Sequence, residues 1–457
     1  MRLEDKASGM TRKFDIVVIG TGPAASASRC RSAGWQVAVI DSRPFGGACA
    51  LRGCDPKKVL VGAAEALDRV CRMKGKGIRA EEIRIDWQGL MRFKHSFTEP
   101  VPKKQEEGFA KAGIATFHGR AQFVGPCSLQ VNDEVLAGRY VVIAAGQKPA
   151  DMKIPGTEHL TTSEQFLELD ELPKRILFVG GGYIAFEFAH VAVRAGAQVT
   201  IAHRGPRPLP RFDPDLVDQL VKSSRELGVD VQLGTEIIRV EKRSGQLSVR
   251  ASASDQQHTF EVDMVVHAAG RVPEIDDMNL DAAGVAWDSQ GVKVNEFLQR
   301  VSNPAVYAAG DAAASGGPPL TPVASYEGII VAANLLKGNS QKPNYLGIPT
   351  VVFAIPPLAA VGLSESEALK QALKFKVKKE MTSNWYSSRR IAEKYSGFKA
   401  LVEEGTDRIV GAHLLGSDAE EVINLFGLAM RAGMRAADLK HMLYAYPTLG
   451  SDVPYIL

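Results

Sequence analysis

Two cysteines, Cys49 and Cys54, stand with four residues between them in the stretch FGGACALRGCDPKKVL, Phe45 to Leu60. Thiols at this spacing either do two-electron chemistry by opening and closing a disulfide, or are buried and never meet. On a regular helix, positions i and i+5 lie ~8–9 Å apart, beyond the ~7 Å Cα limit for a disulfide. A bond between them therefore demands a distorted first turn, which Gly53 would ease. A disulfide strained across a helix start is reducible, and the helix N-terminus with Lys57 and Lys58 would stabilise the thiolate released. Cys30, Cys71 and Cys127 sit in helix or strand contexts and read as small buried hydrophobes. Five cysteines are an odd, sparse set, which argues against a secreted disulfide framework and for a reducing compartment. The nine histidines show no metal-ligand spacing, so no metal site is expected.

The elements that must position this pair are legible on both sides of it. From Asp15, DIVVIGTGPAAS leads from an apolar strand into Gly20-x-Gly22-x-x-Ala25, then a helix, then a strand ending on Asp41. Glycines there let the backbone approach a pyrophosphate at a helix N-terminus, and the acid about 20 residues on takes a ribose hydroxyl. A second fingerprint, ILFVGGGYIAFEFAHVAVRAG, starts at Ile176 and fills its three positions with Gly180, Gly182 and Ala185. Its following strand ends near Ala202, where His203 and Arg204 replace the acid and Arg207 and Arg211 follow. Guanidinium groups in that place suit a 2′-phosphate, so this unit should prefer NADPH over NADH; the alternative is a solvated basic loop. Two fingerprints mean two dinucleotides. MVVHAAGRVPE, with Gly270 and Arg271, echoes the earlier strand end YVVIAAGQKP, and NPAVYAAGDAA brings Gly310-Asp311, an acid suited to ribityl hydroxyls.

The 457 residues allow two to four domains. Helix is expected over Trp87 to Gly113, short strands over Ile114 to Ile143, and a linker with one short helix from Pro149 to Pro173. The first dozen residues read as a loose tail. From Pro343 a separate α+β domain is expected, with a helix near Ser364, strands around Phe398–Gly411 and two terminal helices. A net charge of +3 points to neither nucleic acid nor an anionic membrane surface, and no apolar run reaches the roughly 20 residues that span a bilayer. The start shows neither a signal core nor transit character, so a cytoplasmic location is expected.

Seven segments in one order, GTGPAA, FGGACALRGCDPKK, VVIAAGQKP, GGGYIAFE, AAGRVP, VYAAGDAA and PTVVFAIPPLAAVGL, make the chain resemble the flavoprotein pyridine nucleotide–disulfide oxidoreductases. That family includes glutathione reductase, dihydrolipoamide dehydrogenase and mercuric reductase, and the resemblance runs from Phe14 to about Thr448. It implies an α/β fold with two Rossmann-like dinucleotide-binding domains, for FAD and NADPH, plus a C-terminal α+β dimerisation domain. The expected boundaries are 14–150 with 270–342 for FAD, 151–269 for NAD(P)H, and 343–457 for the interface.

The resemblance further implies a redox disulfide, Cys54 nearest the flavin and Cys49 the outer thiol. A lysine of the Lys57-Lys58 pair, Lys57 the better match, would pair with Glu187 near the flavin. FAD would lie against Gly20, Gly22, Pro23, Ala25, Asp41, Gly47, Ala48, Lys58, Gly119, Ala121, Ala145, Gly146, Gly310 and Asp311. NADPH would lie against Gly180, Gly182, Tyr183, Ile184, His203, Arg204, Arg207, Arg211, Gly270 and Arg271, with Tyr183 covering the nicotinamide pocket. A homodimer would lend residues across to the partner's site.

The C-terminus departs from that pattern. Where disulfide-reducing relatives carry His-Pro-Thr-x-x-Glu, this chain reads Tyr446-Pro447-Thr448-Leu449-Gly450-Ser451. A phenol titrates near 10 and an imidazole near ~6.5, so Tyr446 donates a hydrogen bond but is a poor base; losing a tuned acid/base costs ~10²–10⁴-fold. Tyr446 is either catalytic or an interface packing residue, and nothing in the sequence places Asp452. Ile329 stands where glutathione reductases use an arginine, and no cysteine follows Cys127, unlike mercuric reductases. Arg389 and Arg390 read as a solvated turn. The resulting expectation is an FAD-dependent, NADPH-oxidising reductase acting through Cys49 and Cys54 on a small-molecule acceptor. That acceptor is an atypical small disulfide or a thiol-reactive metal or metalloid ion. The alternatives are a diaphorase-like flavoprotein reducing quinones or oxygen, or a non-catalytic redox sensor.

Overall fold

The structure, a computed structural model, describes residues 11–457 except Ser26, Ser244, Asp255 and Val301. Most of the expected N-terminal tail lies outside the described residues. The chain divides into two compact units, one of residues up to Pro56, His95–Ala150 and Arg271–Asn344, the other of Lys57–Lys94, Asp151–Gly270 and Tyr345–Leu457. The first unit thus returns to itself after a long excursion. The second joins the second fingerprint's residues to the C-terminal region.

The first unit is built on a seven-stranded sheet whose central strand is Arg12–Ile19. It pairs in parallel with Val37–Asp41 on one side and Glu134–Ile143 on the other, and Val37–Asp41 in turn pairs with Ala115–His118. Ile16 to Ile19 form an unbroken apolar run because both faces of a parallel strand are covered. Successive side chains point opposite ways. Val17 and Ile19 pack with Ile40, Val141 and Ile143, whereas Ile16 and Val18 pack with Val39, Val142 and Ala309. The helical expectation over Trp87 to Gly113 resolves into two helices, Trp87–Thr98 and Pro100–Ala112, the second closed by left-handed Gly113.

The second unit carries a parallel sheet in the order Val229–Leu233, Gln198–His203, Arg175–Val179, Met264–His267, Leu160–Thr161. Helix Tyr183–Arg194 covers it and is buried continuously from Ala185 to Ala192. Helix Pro214–Leu227 starts on Asp213, whose Oδ1 accepts from the N–H groups of Asp215 and Leu216. The C-terminal part is an antiparallel five-stranded sheet, Thr350–Val352, Leu358–Gly362, Ile409–Leu415, Gly397–Glu403 and Phe375–Met381, backed by helix Ala419–Ala432. Ser364 caps helix Glu365–Lys370. Two further helices, Ala436–Lys440 and Val453–Ile456, complete the terminus, one more helix than expected.

One expectation about the cysteines fails. Cys30 is buried and Cys127 half-buried, but Cys71 is exposed, because it falls on the solvent side of helix Cys54–Met73. Among the described residues no helix is long and apolar enough to cross a membrane.

Candidate active site

The cysteine stretch folds as the spacing demands. A short helix, Gly47–Arg52, ends at Gly53, and helix Cys54–Met73 starts immediately after it. Gly53 takes φ −147° and ψ −110°, so the chain breaks between the cysteines instead of carrying them one and a half turns apart. Both are free thiols, Cys54 exposed and Cys49 half-buried. The Cys54 sulfur, followed by burial, drives the Cys49 thiol far above its usual range. The Thr321 hydroxyl lies 3.4 Å from Cys54 Sγ, and Cys49 Sγ lies 3.8 Å from Asp55 Oδ1. Thr321 begins helix Thr321–Lys337, and nothing in the cysteine stretch announces it.

Both lysines of the stretch have carboxylate partners. Lys57 Nζ lies 2.9 Å from Glu187 Oε1, with both side chains about nine-tenths buried, and 4.3 Å from the Phe353 ring centre. Lys58 pairs with Glu65 at 3.0 Å and Glu420 at 3.6 Å. The structure therefore gives Glu187 to Lys57. The same Oε1 accepts the Phe353 N–H at 2.9 Å.

The first fingerprint makes a backbone-walled cradle. Gly20 has φ +105°, and a Cβ there would sit 2.3 Å from the Ala144 carbonyl oxygen. Gly47 has φ +73°, and its Cβ would sit 2.4 Å from Gly22 Cα. Pro23 and Ala25 complete the turn, and the Ala25 N–H donates to Gly22 O. Asp41 Oδ2 accepts from the N–H and hydroxyl of Thr21, and Thr21 Oγ1 accepts from the Gly46 N–H. Thr21, the variable residue of the fingerprint, thereby ties Asp41 to the turn before Ala48 and Cys49; the sequence reading passed over it. Gly119 N–H donates to Asp41 O, Ala121 is buried, and Ala145 leads to Gly146 at φ +72°.

Gly310 and Asp311 sit over helix Thr321–Lys337. Glu327, fully buried and also missed, accepts from the Gly310 N–H at 2.7 Å and the Ser315 hydroxyl at 2.6 Å. Burial raises the Asp311 carboxyl, while Arg271 pulls it down. Arg271, expected with the second nucleotide, belongs to the first unit and donates to Gln147 O at 2.6 Å. Gly270 has φ +119°, and a Cβ there meets nothing.

At the second fingerprint Gly180 (φ +116°) approaches Ala268 O, where a Cβ would lie 2.2 Å away. Gly182 precedes helix Tyr183–Arg194, and a Cβ on it meets nothing within 4 Å, so the helix start faces open space. Ile184 packs partly into the core. Tyr183 stands edge-on to Phe212 and its hydroxyl lies 2.7 Å from Thr350 Oγ1; burial raises its pKa. His203 folds back over Gly181, and its Nε2 lies 3.0 Å from Arg207 O. Arg207 is held by Asp218 at 3.1 Å. Arg204 and Arg211 are exposed, and neither has a carboxylate partner among the described residues.

At the C-terminus Tyr446 is 82% exposed. Thr448 and Ser451 cap each other, and Asp452 accepts from the Ser387 hydroxyl, which settles the position of that carboxylate. Ile329 is exposed on its helix, Arg389 ends helix Tyr386–Arg389, and no metal-ligand cluster occurs among the described residues.

Residues 14–328 match the family model of pyridine nucleotide-disulphide oxidoreductases, and residues 348–455 match the dimerisation domain of the same family. The chain is 32% identical over 442 residues to a glutathione reductase of Burkholderia cepacia, covering 96% of this chain and 97% of that protein. It is 31% identical to a mercuric reductase of Staphylococcus aureus, covering 96% and 81% respectively. Among solved structures it resembles the Cu(II) complex of the HOCl-induced flavoprotein disulfide reductase RclA of Escherichia coli. The TM-score there is 0.86 at 27% identity, covering 98% of this chain and 99% of that one.

Proposed function

The chain belongs to the pyridine nucleotide-disulphide oxidoreductase family, which uses FAD and a pyridine nucleotide, and from that premise we propose an NADPH-oxidising reductase working through Cys49 and Cys54. Its acceptor is a thiol-reactive metal ion that needs no protonated leaving group. The observation that carries this reading is the break at Gly53, which brings two sulfurs five positions apart into contact. When bound, FAD supplies the two-electron carrier that links a hydride donor to the dithiol.

The residues present fit both nucleotides. Gly20, Gly22 and Gly47 admit a dinucleotide where any Cβ on Gly20 or Gly47 would collide with backbone. Asp41 keeps acceptor capacity beyond its bonds to Thr21 and the Arg43 N–H. Arg204 and Arg211, exposed and with no carboxylate partner among the described residues, offer guanidinium groups to a 2′-phosphate, which favours NADPH. Lys57 and Glu187, a desolvated pair, hold a fixed dipole in place. The Thr321 hydroxyl, 3.4 Å from the Cys54 sulfur, can donate to it once it is ionised, while the Cys54 sulfur and burial hold the proton on Cys49.

Oxidation of the dithiol forms the Cys49–Cys54 bond and releases two protons and two electrons. Two Cu(II) ions accept those electrons to become two Cu(I), or one Hg(II) ion accepts both. A disulfide acceptor would also need a proton on each departing sulfur, and Tyr446 is a poor acid/base for that work. The solved Cu(II) complex of a reductase with this fold supports the metal reading. The family's dimerisation domain supports a homodimer.

Steady-state NADPH oxidation by purified holoprotein with Cu(II), Hg(II), glutathione disulfide and lipoamide tests the reading, together with counting of alkylatable thiols before and after NADPH. Metal-driven turnover lost in Cys49→Ser and Cys54→Ser, with two thiols gained on reduction, is the expected result. Turnover on quinones that survives both substitutions, with no thiols gained, overturns it in favour of a diaphorase.

A further inference from the structure

Four polar side chains of helix Tyr183–Arg194 point along one face. Tyr183, Glu187, His190 and Arg194 are spaced i, i+4, i+7 and i+11, which keeps them within roughly 60° of one another. All four engage one segment of the same unit, the strand end and loop from Thr350 to Ile355. Tyr183 Oη lies 2.7 Å from Thr350 Oγ1, Glu187 Oε1 accepts from the Phe353 N–H at 2.9 Å, His190 Nδ1 accepts from the Ile355 N–H at 3.0 Å, and Arg194 donates to Ile355 O at 3.4 Å. Phe353 and Ile355 follow strand Thr350–Val352 two residues apart, and both N–H groups donate to side chains of the one helix.

His190 is fully buried, and its tautomer follows from its neighbours. Ile355 N–H and an Arg194 guanidinium N–H both point at Nδ1, at 3.0 and 3.4 Å, and neither can accept, so Nδ1 carries no proton. Nε2 carries it and donates to Ser224 Oγ at 2.9 Å, whose hydroxyl donates to Leu220 O at 2.8 Å. Arg194, 6% exposed, also reaches Asp68 on helix Cys54–Met73 at 2.7 Å, and Asp68 holds Arg72 at 2.7 Å. The residues Lys57 to Met73 of that helix therefore touch helix Tyr183–Arg194 twice, at Lys57–Glu187 and at Asp68–Arg194.

We propose that His190 is a positioning residue that, with Arg194, keeps the 350–356 segment and helix Cys54–Met73 in register so that Glu187 Oε1 stays within reach of both Lys57 and the Phe353 N–H. One hydrogen bond fixes a point of the segment and leaves it free to pivot. The second, two residues on, fixes its direction. Glu187 Oε1 is the shared atom of Lys57 and Phe353, so a pivot of the segment draws Oε1 away from Lys57 Nζ. The inference concerns the geometry of the Lys57–Glu187 pair, and it rests on the proposed function only in making that pair part of a redox site.

Three substitutions separate the two sides of the ring. His190→Asn keeps an oxygen where Nδ1 stood and loses Ser224; His190→Gln reaches toward Ser224 and loses Ile355; His190→Leu loses both. Amide hydrogen exchange of residues 350–355 in the holoprotein is the direct readout, with helix Ala419–Ala432 of the same unit as the internal reference for global opening. Exchange at Phe353 as well as Ile355 should rise about tenfold or more in the Leu and Gln variants and return toward wild type in the Asn variant. The midpoint potential of the bound flavin should move in the Leu and Gln variants in the direction set by Glu187→Gln, and be restored by Asn. Faster exchange confined to Ile355, or Asn and Gln variants that behave alike, overturns the inference. Should Glu187→Gln leave the potential unchanged, the redox role of the pair falls and the exchange pattern alone decides the role of His190.

Discussion

Gly47 and Gly22 meet so closely that a Cβ on Gly47 would stand 2.4 Å from Gly22 Cα, while a Cβ on Gly22 would stand an ordinary 3.7 Å from Gly47 Cα. The contact joins the turn of the first fingerprint to the start of the short helix that carries Cys49. Asp41, reached through Thr21 and the Gly46 N–H, belongs to the same knot.

The asymmetry makes a prediction. Gly47→Ala meets both a backbone clash and a left-handed φ of +73°, and should cost about 2–5 kcal/mol and release FAD on gel filtration. Gly22→Ala, with ordinary contact and no left-handed φ, should lose under about 1.5 kcal/mol of stability. FAD retention with urea midpoints for the two variants checks this, and equal behaviour contradicts it.

Thr321 stands 3.4 Å from Cys54 Sγ, so its hydroxyl favours the thiolate. Thr321→Val removes one hydrogen bond worth ~1 kcal/mol, and the rate of Cys54 alkylation at neutral pH in the reduced protein should fall about fivefold. The pH midpoint of alkylation should move upward. An unchanged midpoint would show that the hydroxyl serves the Thr321 helix start instead.

Lys57 and Glu187 are both largely desolvated, so removing one leaves the other buried without its counter-charge. Lys57→Met should cost about 3–5 kcal/mol. The Lys57→Met, Glu187→Leu double variant should recover a large part of that loss, since neither charge remains to be desolvated. A double-mutant cycle in urea reads the coupling, and additive losses would mean the charges do not see each other.

His190 is held neutral by burial first and by Arg194 second, so its folded pKa lies well below the ordinary 6.5. The unfolded chain takes up a proton near pH 6.5 and the folded chain does not. Stability from this group is therefore complete above that pH and drains away as pH falls below it. Ser224, the Ile355 amide and Arg194, with Asp68 beyond it, are the groups around the ring. Between about pH 6.5 and pH 5 the wild-type melting temperature should fall more steeply than that of His190→Asn. Parallel curves would place the acid sensitivity elsewhere.

Arg204 and Arg211 have no carboxylate to satisfy them among the described residues, whereas Arg207 has Asp218. Replacing Arg204 and Arg211 together by Ser should raise KM for NADPH about 10–100-fold, the worth of a charge-assisted contact or two. KM for NADH should stay within about twofold. Equal losses for both coenzymes would deny these arginines a role in recognising the 2′-phosphate.

What the amino-acid order determined by itself was local. Apolar runs ending in Gly20-x-Gly22 and Gly180-x-Gly182 specify strand–turn–helix units, because only glycine fits where a Cβ would strike Ala144 O or Ala268 O. Helical geometry made a break between Cys49 and Cys54 the condition for their sulfurs to bond, and Gly53 supplies a break. The replacement of His by Tyr446 was equally plain.

Everything that decides charge at the site was settled by tertiary structure. Lys57 and Lys58 are adjacent and chemically alike, and only folding gave one to Glu187 and the other to Glu65. Thr321 reaches Cys54 from 267 positions along the chain, and Phe353 reaches Glu187 from 166. Periodicity and spacing report on neighbours a few residues apart. They do not carry which distant strand end arrives opposite a given side chain, and so they missed Glu327, misjudged Cys71 and gave no hint that His190 would find Ile355.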